Sequence, residues 1–165
     1  MSCRSADDLE RAMQDHGDAV FRFALIAVHS TEDAEDVFQN TFLRWFALGH
    51  IDPAAFRDLR KELLRIAAVC CEDIARSNAR HATVPLEFAR DIASPESIDG
   101  DDLLVFAAIN KLPKAMRIAV HLAYVERYSP TEIAHITREK PVTVRSRLLR
   151  ARRLLKRLIE EERRG

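Results

Sequence analysis

The side chains best suited to chemistry in this chain are cations, gathered towards the C-terminus. Between Arg138 and Arg157 stand nine basic residues and one acid, Glu139. On a helical wheel at about 100° per residue, Val144, Leu148, Ala151, Leu155 and Leu158 share a narrow apolar stripe. Ser146, Arg150, Arg153 and Arg157 gather on the other side, flanked by Arg145. A guanidinium attracts phosphate and can also hydrogen-bond guanine through two donors. Such a face suits a nucleic-acid duplex. A solvated basic helix looks similar, but it normally carries acidic counterparts, and here they are missing.

A second candidate surface lies between Glu32 and Leu48. Ala34, Val37, Phe38, Thr41, Trp45 and Leu48 form the expected core stripe. Opposite them lie Asp36, Gln39 and Asn40 with Leu43 in their midst. An apolar residue at the centre of a polar face invites a partner, although a single exposed Leu is common. A third group, Arg76, Arg80 and His81 beside Ser77 and Asn78, closes a helix. These cations either touch a DNA backbone or complement the helix dipole.

Nothing else has the spacing of an active site. There is no Gly-rich phosphate loop, no H-E-x-x-H and no G-x-S-x-G. Neither an enzyme activity nor a cofactor is expected. Cys3, Cys70 and Cys71 are odd in number, without C-x-x-C spacing, and read as reduced thiols. The six histidines are scattered singly, so no metal site is expected.

The elements that position these residues read as helices. Asp7 to His16 forms a short segment, with Gly17 as a break before an apolar segment from Asp18 to Val28. Ser30-Thr31-Glu32-Asp33 is a helix start, with a hydroxyl cap and an acid three residues on. Asp52-Pro53 marks a turn before a long helix from Pro53 to Arg80. Between Thr83 and Asp102 periodicity vanishes among Pro85, Pro95 and Gly100, with five acids and no base after Arg90. That composition reads as a linker. Leu103 to Lys111 and Pro113 to about Glu126 are helical again. Ser129-Pro130-Thr131-Glu132 combines a Ser cap, Pro at the first helical position and a Glu that returns the bond. A turn from Thr137 to Lys140 then leads into a helix from Pro141 to about Glu162. A short helix, a tight turn and a long helix with one cationic face describe a helix-turn-helix.

Charge follows the same division. Residues 111–165 carry 15 basic and 6 acidic side chains, while residues 1–90 carry 11 and 15. The zero net charge therefore conceals a basic module and an acidic one, which implies two partners. Apolar runs such as Phe23 to Val28 and Ile66 to Cys71 have six residues and the longest, Leu103 to Ile109, has seven, against about 20 for a membrane span. The N-terminus lacks an apolar secretion core, so no membrane insertion and a cytoplasmic location are expected. The fold class expected is all-α: two small helical domains joined by a flexible acidic linker.

Several of these motifs resemble one family. Asp33-Ala34-Glu35-Asp36-Val37-Phe38-Gln39-Asn40-Thr41-Phe42-Leu43 looks like the polymerase-binding helix of extracytoplasmic function sigma factors. Leu112-Pro113 with Arg117 fits the same family, as does Glu132-Ile133-Ala134. Thr143-Val144-Arg145-Ser146-Arg147-Leu148 with Arg150-Ala151-Arg152 resembles its promoter-reading motif. The resemblance covers nearly the whole chain, in order. It implies sigma region 2 over residues 1–82, a linker over 83–102 and a region 4 helix-turn-helix over 103–165.

The resemblance also implies roles. Asp36, Gln39, Asn40 and Leu43 would grip the clamp helices of core RNA polymerase. Thr143, Arg145, Ser146, Arg147, Leu149, Arg150 and Arg153 would meet the minus-thirty-five element of promoter DNA. Arg76 and Arg80 would assist at the minus-ten element. An anti-sigma factor is the further partner implied. Three departures stand out: Glu62 replaces a usual Trp, Val69 stands where Asn is frequent, and Thr137-Arg138-Glu139 replaces Leu-Gly-Ile in the turn. They leave two other readings open, a sigma mimic that sequesters an inhibitor and an ordinary helix-turn-helix regulator.

Overall fold

The structure, a computed structural model, describes residues 3–49, 58–78 and 100–165. Every regular element among them is helical. The chain divides into two compact units: the first holds the N-terminal helices together with His135–Arg138, and the second holds the rest of the helices after residue 99.

The first unit is built from α1 (Ala6–Val28), α2 (Thr31–Ala47) and α3 (Leu59–Asn78), each packed on the other two. Local chemistry sets the helix starts. Ser5 Oγ accepts from the Asp8 backbone N–H at 3.2 Å, and the Asp8 carboxylate accepts from the Ser5 N–H at 2.8 Å. This reciprocal pair satisfies two donors that the first turn leaves open. Ser30 caps α2 by accepting from the Asp33 N–H at 3.3 Å. His29 closes α1 in the left-handed region at φ 52°. Only His29 and Ser30 separate the two helices.

The expected break at Gly17 is not there: α1 runs unbroken through it. A Cβ at Gly17 would lie 3.3 Å from Phe38 Cε2. The glycine therefore serves the close crossing of α1 and α2, at a cost in helix propensity of about 1 kcal/mol relative to Ala. Small residues pack much of this unit, among them Ala24, Ala34 and Ala67, each completely buried. Phe23, Leu63 and Leu64 fill the space between them. Thr41 is also completely buried, and its hydroxyl donates to the Val37 carbonyl at 2.6 Å. The core stripe of α2 differs from expectation at one end. Leu48 is 59% exposed, because it caps the helix just before the chain turns through Gly49 at φ 59°. Phe42, outside the expected stripe, is buried and stacks obliquely against Phe38 at 4.9 Å. The expected turn at Asp52-Pro53 and the helix start at Pro53 lie outside the described residues.

The helices after residue 99 are α4 (Gly100–Lys111), α5 (Lys114–Val120), α6 (Pro130–Thr137) and α7 (Pro141–Arg164), and all but the end of α6 from His135 belong to the second unit. The start of α4 at Gly100 falls within the stretch read as linker, and residues 83–99 lie outside the described residues. After Val120 the helix widens into a π-helical turn, His121–Val125, with Glu126 N–H donating to the His121 carbonyl at 3.1 Å. In an α-helix, residues five apart point about 140° away from each other. The wider turn brings them to one side. Accordingly His121 Nε2 and Glu126 Oε1 meet at 3.5 Å, both side chains almost fully buried. Arg117 is buried as well, and donates to the Leu112 carbonyl at 3.0 Å across the α4–α5 corner. Burial opposes its charge and lowers its pKa.

Candidate functional site

The helix-turn-helix is assembled from its caps. Ser129 Oγ accepts from Glu132 N–H at 3.2 Å, and Glu132 returns an acceptor to Ser129 N–H at 3.2 Å. Pro130 opens α6 and Pro141 opens α7, each where no helical N–H is required. Between them Arg138 adopts φ 60°, and Glu139 N–H donates to the Ala134 carbonyl at 2.9 Å. This six-to-one bond around a left-handed residue is a Schellman closure. Ile133, Ala134 and Ile136 of α6 are buried, as are Val144, Leu148 and Ala151 of α7. Leu155 and Leu158, expected in the same stripe, are half-buried.

That packing decides which side of α7 faces solvent. Thr143, Arg145, Ser146, Leu149, Arg150 and Arg153 are exposed, along with Lys156 and Arg157. Arg147 stands apart from this group. Its side chain is 17% exposed and ion-paired with Glu139, the acid in the turn. The departure from the family's usual turn thus has a local function, a clamp between the turn and the second turn of α7. Arg152 packs on Tyr124 of the π-helical turn, with its guanidinium 5.6 Å from the ring centre. Near the end of α7, Glu162 pairs with Lys111 of α4.

On the first unit, Asp36, Gln39, Asn40 and Leu43 are all exposed along α2, and Leu43 is 60% exposed. Gln39 also borders a groove of about 450 Å³ whose other walls include Met13, Phe21 and Phe38. Asp18 and Glu35 stand at the same groove. At the end of α3, Arg76 pairs with Asp73 at 3.1 Å, while Asp73 also accepts from Arg44 of α2 at 2.8 Å. Asn78 donates to Asp33 at 2.7 Å. Arg76 remains 75% exposed at its side chain. Arg80 and His81 lie outside the described residues. Burial lowers the pKa of Arg4, opposed in part by the carboxylates of the acidic departure Glu62 and of Asp8, and its guanidinium stacks 4.0 Å from the Trp45 ring centre.

Several of these positions were not evident from sequence. The Glu139–Arg147 pair needs the turn geometry, and the stacking of Arg4 on Trp45 joins the segment before α1 to the C-terminal part of α2. Among the described residues, no group of three His, Cys, Asp or Glu converges as metal ligands, and no helix is long and apolar enough to cross a membrane.

Comparison with known proteins agrees with this geometry. The family described as Sigma-70, region 4 matches residues 103–155. The ECF RNA polymerase sigma factor SigE of Mycolicibacterium smegmatis is 33% identical over 156 residues, covering 89% of this chain and 60% of that protein. SigM of Mycobacterium tuberculosis is 30% identical over 147 residues, covering 87% of this chain and 73% of SigM. The solved structure of CnrH with the cytosolic domain of CnrY superposes with a TM-score of 0.68 at 26% identity, over 95% of this chain and 90% of that one. The sigma factor RpoE, solved with the anti-sigma factor NepR from Bartonella quintana, shares the fold with a TM-score of 0.73 at 22% identity, over 94% and 98% of the two chains. With similarity running through both units, the chain belongs to the ECF RNA polymerase sigma factor family.

Proposed function

We propose that this protein is a transcription initiation factor that binds core RNA polymerase and directs it to specific promoters. Residues 1–82 act as region 2, residues 83–102 as a linker and residues 103–165 as region 4. The observation that carries the reading is the outer side of α7. Arg145, Arg150, Arg153, Lys156 and Arg157 are all exposed there, opposite a buried apolar stripe. A helix so divided can lie in a major groove with its cations at phosphates and base edges. The protein contributes binding energy and orientation, and the polymerase supplies the chemistry.

The α2 face is the polymerase contact in this reading. Leu43 would be desolvated by a helix of the polymerase, with Asp36, Gln39 and Asn40 hydrogen-bonding around it. Burying a Leu contributes about 1.5–3 kcal/mol, so Gln39→Ala combined with Leu43→Ala should weaken binding to core polymerase roughly tenfold or more. Both side chains are exposed, so the helical content should be unchanged. Arg145, Ser146, Leu149, Arg150 and Arg153, with Thr143, form the promoter contact in the minus-thirty-five region. Arg147 supports the turn instead. Arg76 serves the minus-ten element, with Arg80 beyond it in sequence. An anti-sigma factor would act by covering one of these faces; RpoE, of related fold, was solved in complex with the anti-sigma factor NepR.

The deciding experiment is transcription reconstituted from the full chain and purified bacterial core polymerase on a promoter library. The reading expects initiation from a small promoter set, and Arg145→Ala or Arg150→Ala should relax selectivity upstream at a cost of about 1–3 kcal/mol. Unselective initiation, or core polymerase binding unaffected by the Gln39→Ala/Leu43→Ala pair, refutes it.

A further inference from the structure

The first turn of α7 is built unlike an ordinary helix start. Lys140 precedes it without a side-chain capping bond, and no acid occupies the turn. At the second helical position stands Val142, 68% exposed, the most exposed large apolar side chain among the described residues. A β-branched residue there lowers helix propensity and covers no core. Each of these choices works against the helix in isolation.

Val142 is placed where a partner would meet it. Counting along α7, Val142, Ser146, Leu149 and Arg153 recur at intervals of four, three and four, so they form one stripe. The stripe lies opposite the buried Val144, Leu148 and Ala151. Arg145 and Lys156 flank it on one side, Arg150 and Arg157 on the other, all exposed. An apolar protein partner would have to desolvate cations along both borders. A DNA duplex places phosphates along both borders of its major groove and one apolar group on the groove floor, the thymine C5-methyl.

We propose that Val142 is a specificity residue that reads a thymine methyl in the upstream promoter element. The inference rests on the reading that α7 docks on promoter DNA, and it adds a position and a base to it. The N-terminal residues of a recognition helix are the ones that approach base edges. Valine has no donor or acceptor to offer a base, so its contribution there is apolar contact, and thymine is the base that presents a methyl for it.

The test uses the holoenzyme and a promoter chosen by it from a library with a randomised upstream element. Each upstream thymine is replaced singly by deoxyuridine, which removes the methyl and keeps the base pair. At one position the replacement should weaken competition binding of the wild-type holoenzyme about fourfold, the equivalent of one buried methyl group. Val142→Ala should bind the thymine promoter about fourfold more weakly and be indifferent to deoxyuridine at that position. Thermal unfolding of Val142→Ala should show a Tm equal to or above wild type, since Ala favours the helix. If the wild type ranks promoters by their upstream element yet tolerates every deoxyuridine, or if Val142→Ala keeps the deoxyuridine penalty, the inference fails while α7 remains a DNA reader. If upstream sequence has no influence on binding at all, the DNA reading itself fails.

Discussion

Replacing Arg138 with glycine should stabilise the helix-turn-helix. Arg138 holds φ at 60° in the turn of the helix-turn-helix, and its side chain is exposed. An L-residue in the left-handed region costs roughly 1–2 kcal/mol from the approach of Cβ to the following carbonyl. Glycine removes that cost, but its freer unfolded chain returns about 0.4–1 kcal/mol. The net expectation is a gain of about 0.5–1 kcal/mol, or roughly 2–8 °C in Tm for a unit of this size. The closure between Glu139 N–H and the Ala134 carbonyl, 2.9 Å long, should persist because it uses only backbone. Amide hydrogen exchange suits the measurement, since it reports α6 and α7 separately from the first unit. Slower exchange throughout both helices in Arg138→Gly is the expected result. Unchanged or faster exchange, with the turn bond still protected, would refute the account of the turn. Arg127, exposed at φ 60° after the π-helical turn, provides a parallel case: Arg127→Gly should act with the same sign.

Gly17→Ala should be close to neutral in urea unfolding, because a propensity gain of about 1 kcal/mol opposes a Cβ set 3.3 Å from Phe38. Gly17→Leu should destabilise by about 1–3 kcal/mol through overpacking, and a neutral result would show that the crossing is loose. The Ser5 hydrogen bonds hold the Asp8 carboxyl below its ordinary range. Their contribution is therefore present above the unfolded-state pKa and is lost as pH falls through the lowered folded value. The first turn of α1 should fray in acid by NMR, and Asp8→Asn should remove that dependence. Burial raises the Cys70 thiol pKa, and Cys71 is buried beside it in sequence, whereas Cys3 is exposed. At neutral pH a maleimide should label Cys3 first, and rapid native labelling of Cys70 would contradict the packing of α3.

Much of this architecture was legible because its causes are local. The Ser129–Glu132 box and the prolines at 130 and 141 mark their helices within a few residues, and the structure has both helices there. The polar face of α2 around Leu43 followed from periodicity alone, as did the exposed cations of α7. The misread positions have non-local causes. Gly17 looked like a break because its reason, the ring of Phe38, belongs to another helix. Leu48 was assigned to the core by extending a period past Trp45, beyond the point where the chain turns off through Gly49. The pairing of Arg147 with Glu139 is likewise absent from the sequence pattern, because only the turn brings the two together.

The short connections have a consequence for biosynthesis. Two residues join α1 to α2, two join α4 to α5, and three join α6 to α7. Contacts between such neighbours are close in sequence, and helical units of this kind fold in microseconds to milliseconds. A ribosome adds roughly 5–20 residues per second, so several seconds separate the synthesis of Asn78 from that of Gly165. The N-terminal bundle can therefore reach its native packing while α7 is still being made. A nascent chain stalled before α4 should already resist protease within α1 to α3, and folding of this protein should proceed vectorially, one unit at a time.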